Sequence, residues 1–200
     1  MTQQTHIPGP NGARSIIAQD ALSLGLAAFG ITTLLASMIN AGLLPPAGET
    51  AELPLAMTLG GTTQLIAGAL AARRGDHFAT TAFIAYGAFW WWYAILSIWF
   101  RTGFADMNDA RPTIGATLLL WGVLALFLWV GSFKRTRLTV TIFLAITITF
   151  FVLAAGLLLV APWLTRIGGY CGMICGTLAL YGSFAAITND SYGHRILPLG

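Results

Sequence analysis

The chain has 200 residues, 56% of them hydrophobic and 8% charged, with a formal net charge of +3. Soluble domains carry about 25% charged residues, so this composition excludes an ordinary water-soluble fold. The basic residues sit in short stretches between apolar spans, which is no nucleic-acid signal, and two cysteines cannot build a disulfide framework.

Residues 1–20 are polar and rich in Gln, Gly and Pro. They lack an apolar core followed by a small-residue cleavage site, so a disordered cytoplasmic tail is expected rather than a cleavable leader. Six apolar spans follow, over residues 21–41, 53–72, 79–100, 113–131, 138–161 and 168–187. At about 1.5 Å per residue, a helix of some 20 residues crosses a ~30 Å hydrocarbon layer. Only helices and closed barrels span lipid, and these spans are too long for barrel strands. The predicted fold is all-α, a polytopic membrane protein with six transmembrane helices over 21–190 and a short tail over 191–200.

The loops set an expected orientation. Arg73, Arg74, Lys134, Arg135 and Arg137 lie on the same side as the tails, which add Arg14 and Arg195; Arg101, Arg111 and Arg166 lie opposite. The positive-inside rule then places both termini in the cytoplasm, in the inner membrane of a cell, and puts Glu49, Glu52, Asp106 and Asp109 outside as solvated loop charges.

In the first span, Gly25, Phe29, Thr32, Thr33, Ala36 and Asn40 fall near one helical face. The second span carries Met57, Gly61, Gln64 and Gly68 on one face. The third holds Ala82, Tyr86, Phe89, Tyr93 and Ser97 along one side, so a phenol is carried deep into lipid thickness. An unpaired hydroxyl in an apolar medium costs roughly 2–7 kcal/mol, so that side must face protein or a wet cavity. The fifth span places Thr139, Ile142, Ile146 and Thr149 together. One such face is ordinary packing between helices; four that converge point to a conduit.

The sixth span repeats Gly168, Gly172 and Gly176 every four residues. This ridge lets a second backbone approach closely, in the same chain or in a neighbour. Cys171 and Cys175, one turn apart, are too few to ligate a metal and read as small apolar thiols. No Asp, Glu, Lys, Arg or His lies within the spans as bounded above, and His6, His77 and His194 stand in tails or loops. No metal, cofactor or nucleotide site is expected, and no nucleophile arrangement suggests an enzyme.

A set of ordered segments carries a resemblance: Leu24-Gly25-Leu26, Phe29-Gly30-Ile31-Thr32-Thr33, Gly60-Gly61, Gln64, Thr81-Ala82-Phe83, Tyr86-Gly87-Ala88-Phe89-Trp90, Leu120-Trp121-Gly122-Val123, Ile174-Cys175-Gly176 and Leu197-Pro198-Leu199-Gly200. Together they resemble the acetate uptake transporter family. The resemblance implies a homo-oligomer, a hexamer, whose protomers each pass short-chain monocarboxylates such as acetate, and succinate, across a lipid bilayer. It implies a hydrophobic constriction at Phe29, Tyr86 and Ile146, the last a change of shape but not of polarity. Thr32, Thr33, Asn40 and Gln64 would then replace water around the carboxylate. Proton symport and channel-like passage both stay open.

One departure stands out. The family signature at the start of the first span is Asn-Pro-Ala-Pro-Leu-Gly-Leu, whereas Asp20, Ala21, Leu22 and Ser23 precede Leu24 here. Asp20 is a good helix cap, but an ionised Asp at this mouth would repel an anion by about 4 kcal/mol at ~4 Å and an effective dielectric near 20. Two other readings therefore remain beside transport of acids: a scaffold or sensor that kept the fold without the path, and a path for another small solute such as ammonia.

Overall fold

The computed structural model describes the backbone from residue 10 and the side chains from residue 21 to residue 200. The Asp20 side chain and the first nine residues of the expected tail lie outside the described residues. Helix α1 runs Pro10–Asn40, starting well ahead of the apolar span, so Asp20 lies ten residues inside the helix and is not its cap, because the polar residues before the span continue the same helix. The second crossing is built in three parts: α2, Glu49–Leu55; a π-helical segment, Ala56–Thr63; and α3, Gln64–Ala72. Helices α4, His77–Arg101, α5, Met107–Gly131, α6, Arg137–Leu158, and α7, Pro162–Ser191, complete six crossings.

Helix boundaries follow local chemistry. Asp76 accepts from Ala79 N–H at 3.1 Å and caps α4. Asp106 accepts from Asn108 N–H at 2.7 Å to cap α5, and Thr136 accepts from Thr139 N–H to cap α6. Pro162 opens α7, where its missing N–H would be unsatisfied in any case. Gly75, at φ +73°, makes the sharp reversal between α3 and α4 that other residues adopt only with strain.

The irregular second crossing also has a sequence cause. Pro54 inside α2 cannot donate a backbone hydrogen bond, and the π turns follow at once. Thr62 and Thr63 donate their hydroxyls five residues back, to the carbonyls of Met57 and Thr58.

Helix α1 packs most extensively on α7, and the glycine ridge explains why. A Cβ at Gly176 would stand 2.9 Å from Leu34 N and 3.0 Å from Gly30 O of α1, and a Cβ at Gly172 would collide with the Ser37 side chain. Gly168 instead admits Leu153 of α6. The ridge is thus used within the chain. The second crossing packs on α4 through its own small residues, with Gly61 against Trp91 and Gly68 against Ile84.

Candidate functional site

Two cavities enter the bundle from opposite sides. The first, of about 390 Å³, opens on the side of the termini. The second, of about 470 Å³, opens on the far side. Their linings follow depth along three helices. On α1 the termini-side cavity takes Leu22, Leu26 and Phe29, and the far cavity takes Phe29, Thr33, Ser37 and Asn40. On α4 the sequence is Phe78, Ala82 and Tyr86, then Tyr86, Phe89, Tyr93 and Ser97; on α6 it is Thr139, Ile142 and Ile146, then Ile146, Thr149 and Leu153. From Leu22 to Asn40 the rise is about 27 Å, close to a hydrocarbon thickness.

Phe29, Tyr86 and Ile146 are the residues common to both linings. They come from three different helices, and each is buried. The Phe29 and Tyr86 rings lie 5.4 Å apart between centroids, tilted by 43°. Behind them Tyr86 stacks on Phe150 at 6.3 Å and on Trp121 at 6.3 Å, so the wall of the ring is held by a block of aromatic packing. The Tyr86 hydroxyl is buried without a hydrogen-bond partner.

The remaining expected site residues divide. Thr33 and Asn40 line the far cavity, and the Thr33 hydroxyl is buried without a partner. Thr32 lines neither cavity; it is buried, and its hydroxyl donates to Ala28 O of its own helix at 2.9 Å. Gln64 also lies outside both; its amide is wholly buried and neither amide atom has a partner. The face of the second crossing that carries Gln64 is set behind α4 rather than on the cavities. Faces of α1, α4 and α6 therefore converge, with Ile114 and Leu118 of α5 closing the far cavity.

The acidic residues need a correction. The loop reading placed Glu49 and Glu52 in water and left the spans free of acids. Glu52 is fully buried instead, within the helical stretch Pro46–Ala72. The physical reason is that the helix starts at Glu49, not at the first apolar residue, so both acids belong to its first turns. Glu49 lines the far cavity; its carboxylate accepts from Ser97 Oγ at 2.9 Å and pairs with Arg101 at 2.8 Å. The Tyr93 hydroxyl lies 3.2 Å from both Glu49 Oε1 and Glu52 Oε2. Spacing held part of this signal: Tyr93, Ser97 and Arg101 recur every four residues on the face already assigned to the path. The partner glutamates carry no such periodicity.

The termini-side mouth carries Lys134 and Arg135, with Leu199 and Gly200 beside them. Arg135 pairs with Asp76 at 2.7 Å and lies 4.8 Å over the Phe78 ring. The hydrogen bond from Arg135 holds the Asp76 carboxyl below its usual range, and Asp76 in turn raises Arg135. Asn189 clamps the tail, accepting from the N–H groups of Ile196 and Leu197. Cys175 is buried and its thiol faces Ile142 O at 3.5 Å, with no disulfide to Cys171.

This geometry can be set beside known proteins. Residues 4–198 match the model of the GPR1/FUN34/yaaH family. The chain belongs to the GPR1/FUN34/yaaH family. Among family relatives, the succinate-acetate/proton symporter SatP of Escherichia coli strain K12 is 33% identical over 177 residues, covering 88% of this chain and 93% of that protein. The ammonia transport outward protein 2 of Saccharomyces cerevisiae is 31% identical over 170 residues, covering 82% of this chain and 60% of that protein. A solved structure described as that of the bacterial acetate channel SatP superposes with a TM-score of 0.85 at 33% identity, over 90% of this chain and 98% of that one. The chain is a multi-pass membrane protein of this family's fold.

Proposed function

We propose that the chain conducts short-chain monocarboxylates such as acetate across a cell's inner membrane, through a path closed at its waist by Phe29, Tyr86 and Ile146. The observation that carries the reading is the pair of cavities that meet at those three side chains. Its relatives named for acetate and succinate transport support the cargo class.

The chemistry of passage follows from the linings. A carboxylate placed bare in an apolar ring loses its hydration, which costs far more than any single contact returns. Cargo therefore crosses as the neutral acid, or crosses when the ring parts and wets. At the ring the free Tyr86 hydroxyl offers one hydrogen bond to a carboxyl group. On the far side Thr33, Ser37, Asn40 and Thr149 offer polar groups that replace water. Thr32 and Gln64, away from both cavities, act on packing. The assembly implied by family resemblance is a hexamer, each protomer holding its own path, and the positive-inside rule puts both termini in the cytoplasm.

Uptake of radiolabelled acetate into proteoliposomes, with and without a pH gradient, tests the reading. Uptake above empty vesicles is expected, and uptake stimulated by a gradient identifies symport. No uptake of any monocarboxylic acid of one to four carbons would remove acid transport. Ammonia is the second reading, favoured by the yeast relative's name and by a ring that admits neutral solutes. Ammonia-driven alkalinisation of the same vesicles, without acetate flux, would select it.

A further inference from the structure

Tyr93 poses a problem of proton counting. Its hydroxyl carries one hydrogen, yet it lies at hydrogen-bond distance from two carboxyl groups, Glu49 Oε1 and Glu52 Oε2, each at 3.2 Å. It can donate to one of them. The other contact needs a proton supplied by the carboxyl itself.

The surroundings decide which carboxyl holds it. Glu49 is ion-paired with Arg101 at 2.8 Å and accepts from Ser97 Oγ at 2.9 Å, and it lines the open far cavity. Glu52 has no cation beside it among the described residues. It is wholly buried, and its second oxygen, Oε1, has no partner. An ionised carboxylate there would be desolvated with only Tyr93 to compensate it, so the neutral acid is the stable form. The titratable groups that face it are Glu49 on its own helix and Tyr93 on α4, and the one nearby cation among the described residues, Arg101, is paired with Glu49. Helix α1, also packed against α2, carries no titratable side chain between residues 21 and 40, and neither does the π-helical segment.

We infer that Glu52 is a proton-holding residue of the path, linked to the far cavity through Tyr93 and Glu49. In the resting arrangement Glu52 donates to Tyr93 Oη, and Tyr93 donates to Glu49 Oε1. Transfer is a two-proton shift. The Glu52 O–H bond breaks as an O–H bond forms on Tyr93, while the former Tyr93 proton passes to Glu49 and from there to a carboxylate in the cavity. Glu52 is left ionised and the cargo neutral; reversal from the aqueous mouth reloads Glu52. The neutral cargo then meets the apolar ring in the form that crosses it most cheaply. What the proton does rests on the transport reading above; where it sits does not.

Two measurements on the purified full-length protein test this. Infrared spectroscopy at neutral pH is expected to show the C=O stretch of a protonated carboxylic acid, absent in Glu52→Gln, shifted in Tyr93→Phe and retained in Glu49→Gln. In proteoliposomes, Glu52→Gln is expected to lower gradient-driven acetate uptake about tenfold and to flatten its dependence on pH. Should Glu52→Gln fail to fold, Tyr93→Phe carries both arms, because it cuts the same link. A spectrum without any acid band that responds to these substitutions overturns the assignment. So does a Glu52→Gln protein whose uptake follows pH as the wild type does. Wild-type vesicles without acetate flux count against the transport reading, and the infrared band then decides Glu52 alone.

Discussion

The two cavities are similar in size but opposite in character. The termini-side cavity is walled mainly by Leu22, Leu26, Phe78, Phe83 and Phe143, and its charge is gathered at the rim in Lys134 and Arg135. The far cavity is walled by hydroxyls and amides as well as rings, and its rim joins Glu49 to Arg101. One mouth offers anions Lys134, beside an Arg135 already paired with Asp76. The other avoids repelling them by pairing its acid, and substitutes polar side chains for lost water further in. The difference teaches that dehydration and charge selection are assigned to different ends, with Phe29, Tyr86 and Ile146 as the common floor.

Removing that floor should erase the distinction. If the ring contributes only about 1.4 kcal/mol to the barrier, Tyr86→Ala or Phe29→Ala speeds acetate flux about tenfold. Tyr86→Phe, which keeps the ring and deletes the hydroxyl, isolates the contribution of the hydrogen bond. Radiolabelled flux at matched expression measures both; wild-type flux in Tyr86→Ala would take this residue out of the gate.

Gly176→Val tests whether both cavities depend on the close contact of α1 with α7. The added carbons meet Leu34 and Gly30 backbone, which cannot yield as a side chain does. A loss of about 1–3 kcal/mol or more is expected, read as a lower unfolding midpoint in detergent. An unchanged midpoint would mean that α1 and α7 are free to separate.

At the rims the effects are smaller. Arg101→Ala leaves Glu49 without its cation and should slow acid uptake from the far side by a few-fold, less at high salt. Lys134→Ala should do the same from the termini side only. Sided addition to oriented vesicles distinguishes the two, and equal loss from both sides would deny the asymmetry.

The smallest effect is one of pH. Arg135 lowers the Asp76 pKa, so the pair contributes stability that is present above the ordinary aspartate range and lost as pH falls through the lowered value. Both groups are part-exposed, and such pairs contribute up to about 1 kcal/mol. Arg135→Ala should therefore lower the unfolding midpoint at neutral pH and match the wild type in acid. A difference that persists unchanged in strong acid would point to the lost contact with the Phe78 ring instead.

Much of the path was legible along the chain because depth in a membrane helix is written in residue order. The stripes Phe29–Thr33–Asn40, Ala82–Tyr86–Tyr93 and Ile142–Ile146–Thr149 each need only the 3.6-residue repeat to be seen as faces. Gln64 shows where that logic fails. Its face is as polar as the others, yet nothing local says whether it meets a cavity or another helix. Glu52 fails differently: hydropathy began the span at Leu53, one residue after it, since a charge at a helix end looks the same whether water or Tyr93 receives it.

Local chemistry by itself determined the six crossings, their caps, the glycine ridge and the faces that are costly to leave in lipid. These are properties of neighbours one to four residues apart. Which faces meet was decided only in three dimensions: Gly176 found α1, Gly61 found Trp91, and Tyr93 found two glutamates more than forty residues away. Helix formation is a local matter of backbone hydrogen bonds, whereas helix pairing depends on the fit of whole surfaces, which no short window contains.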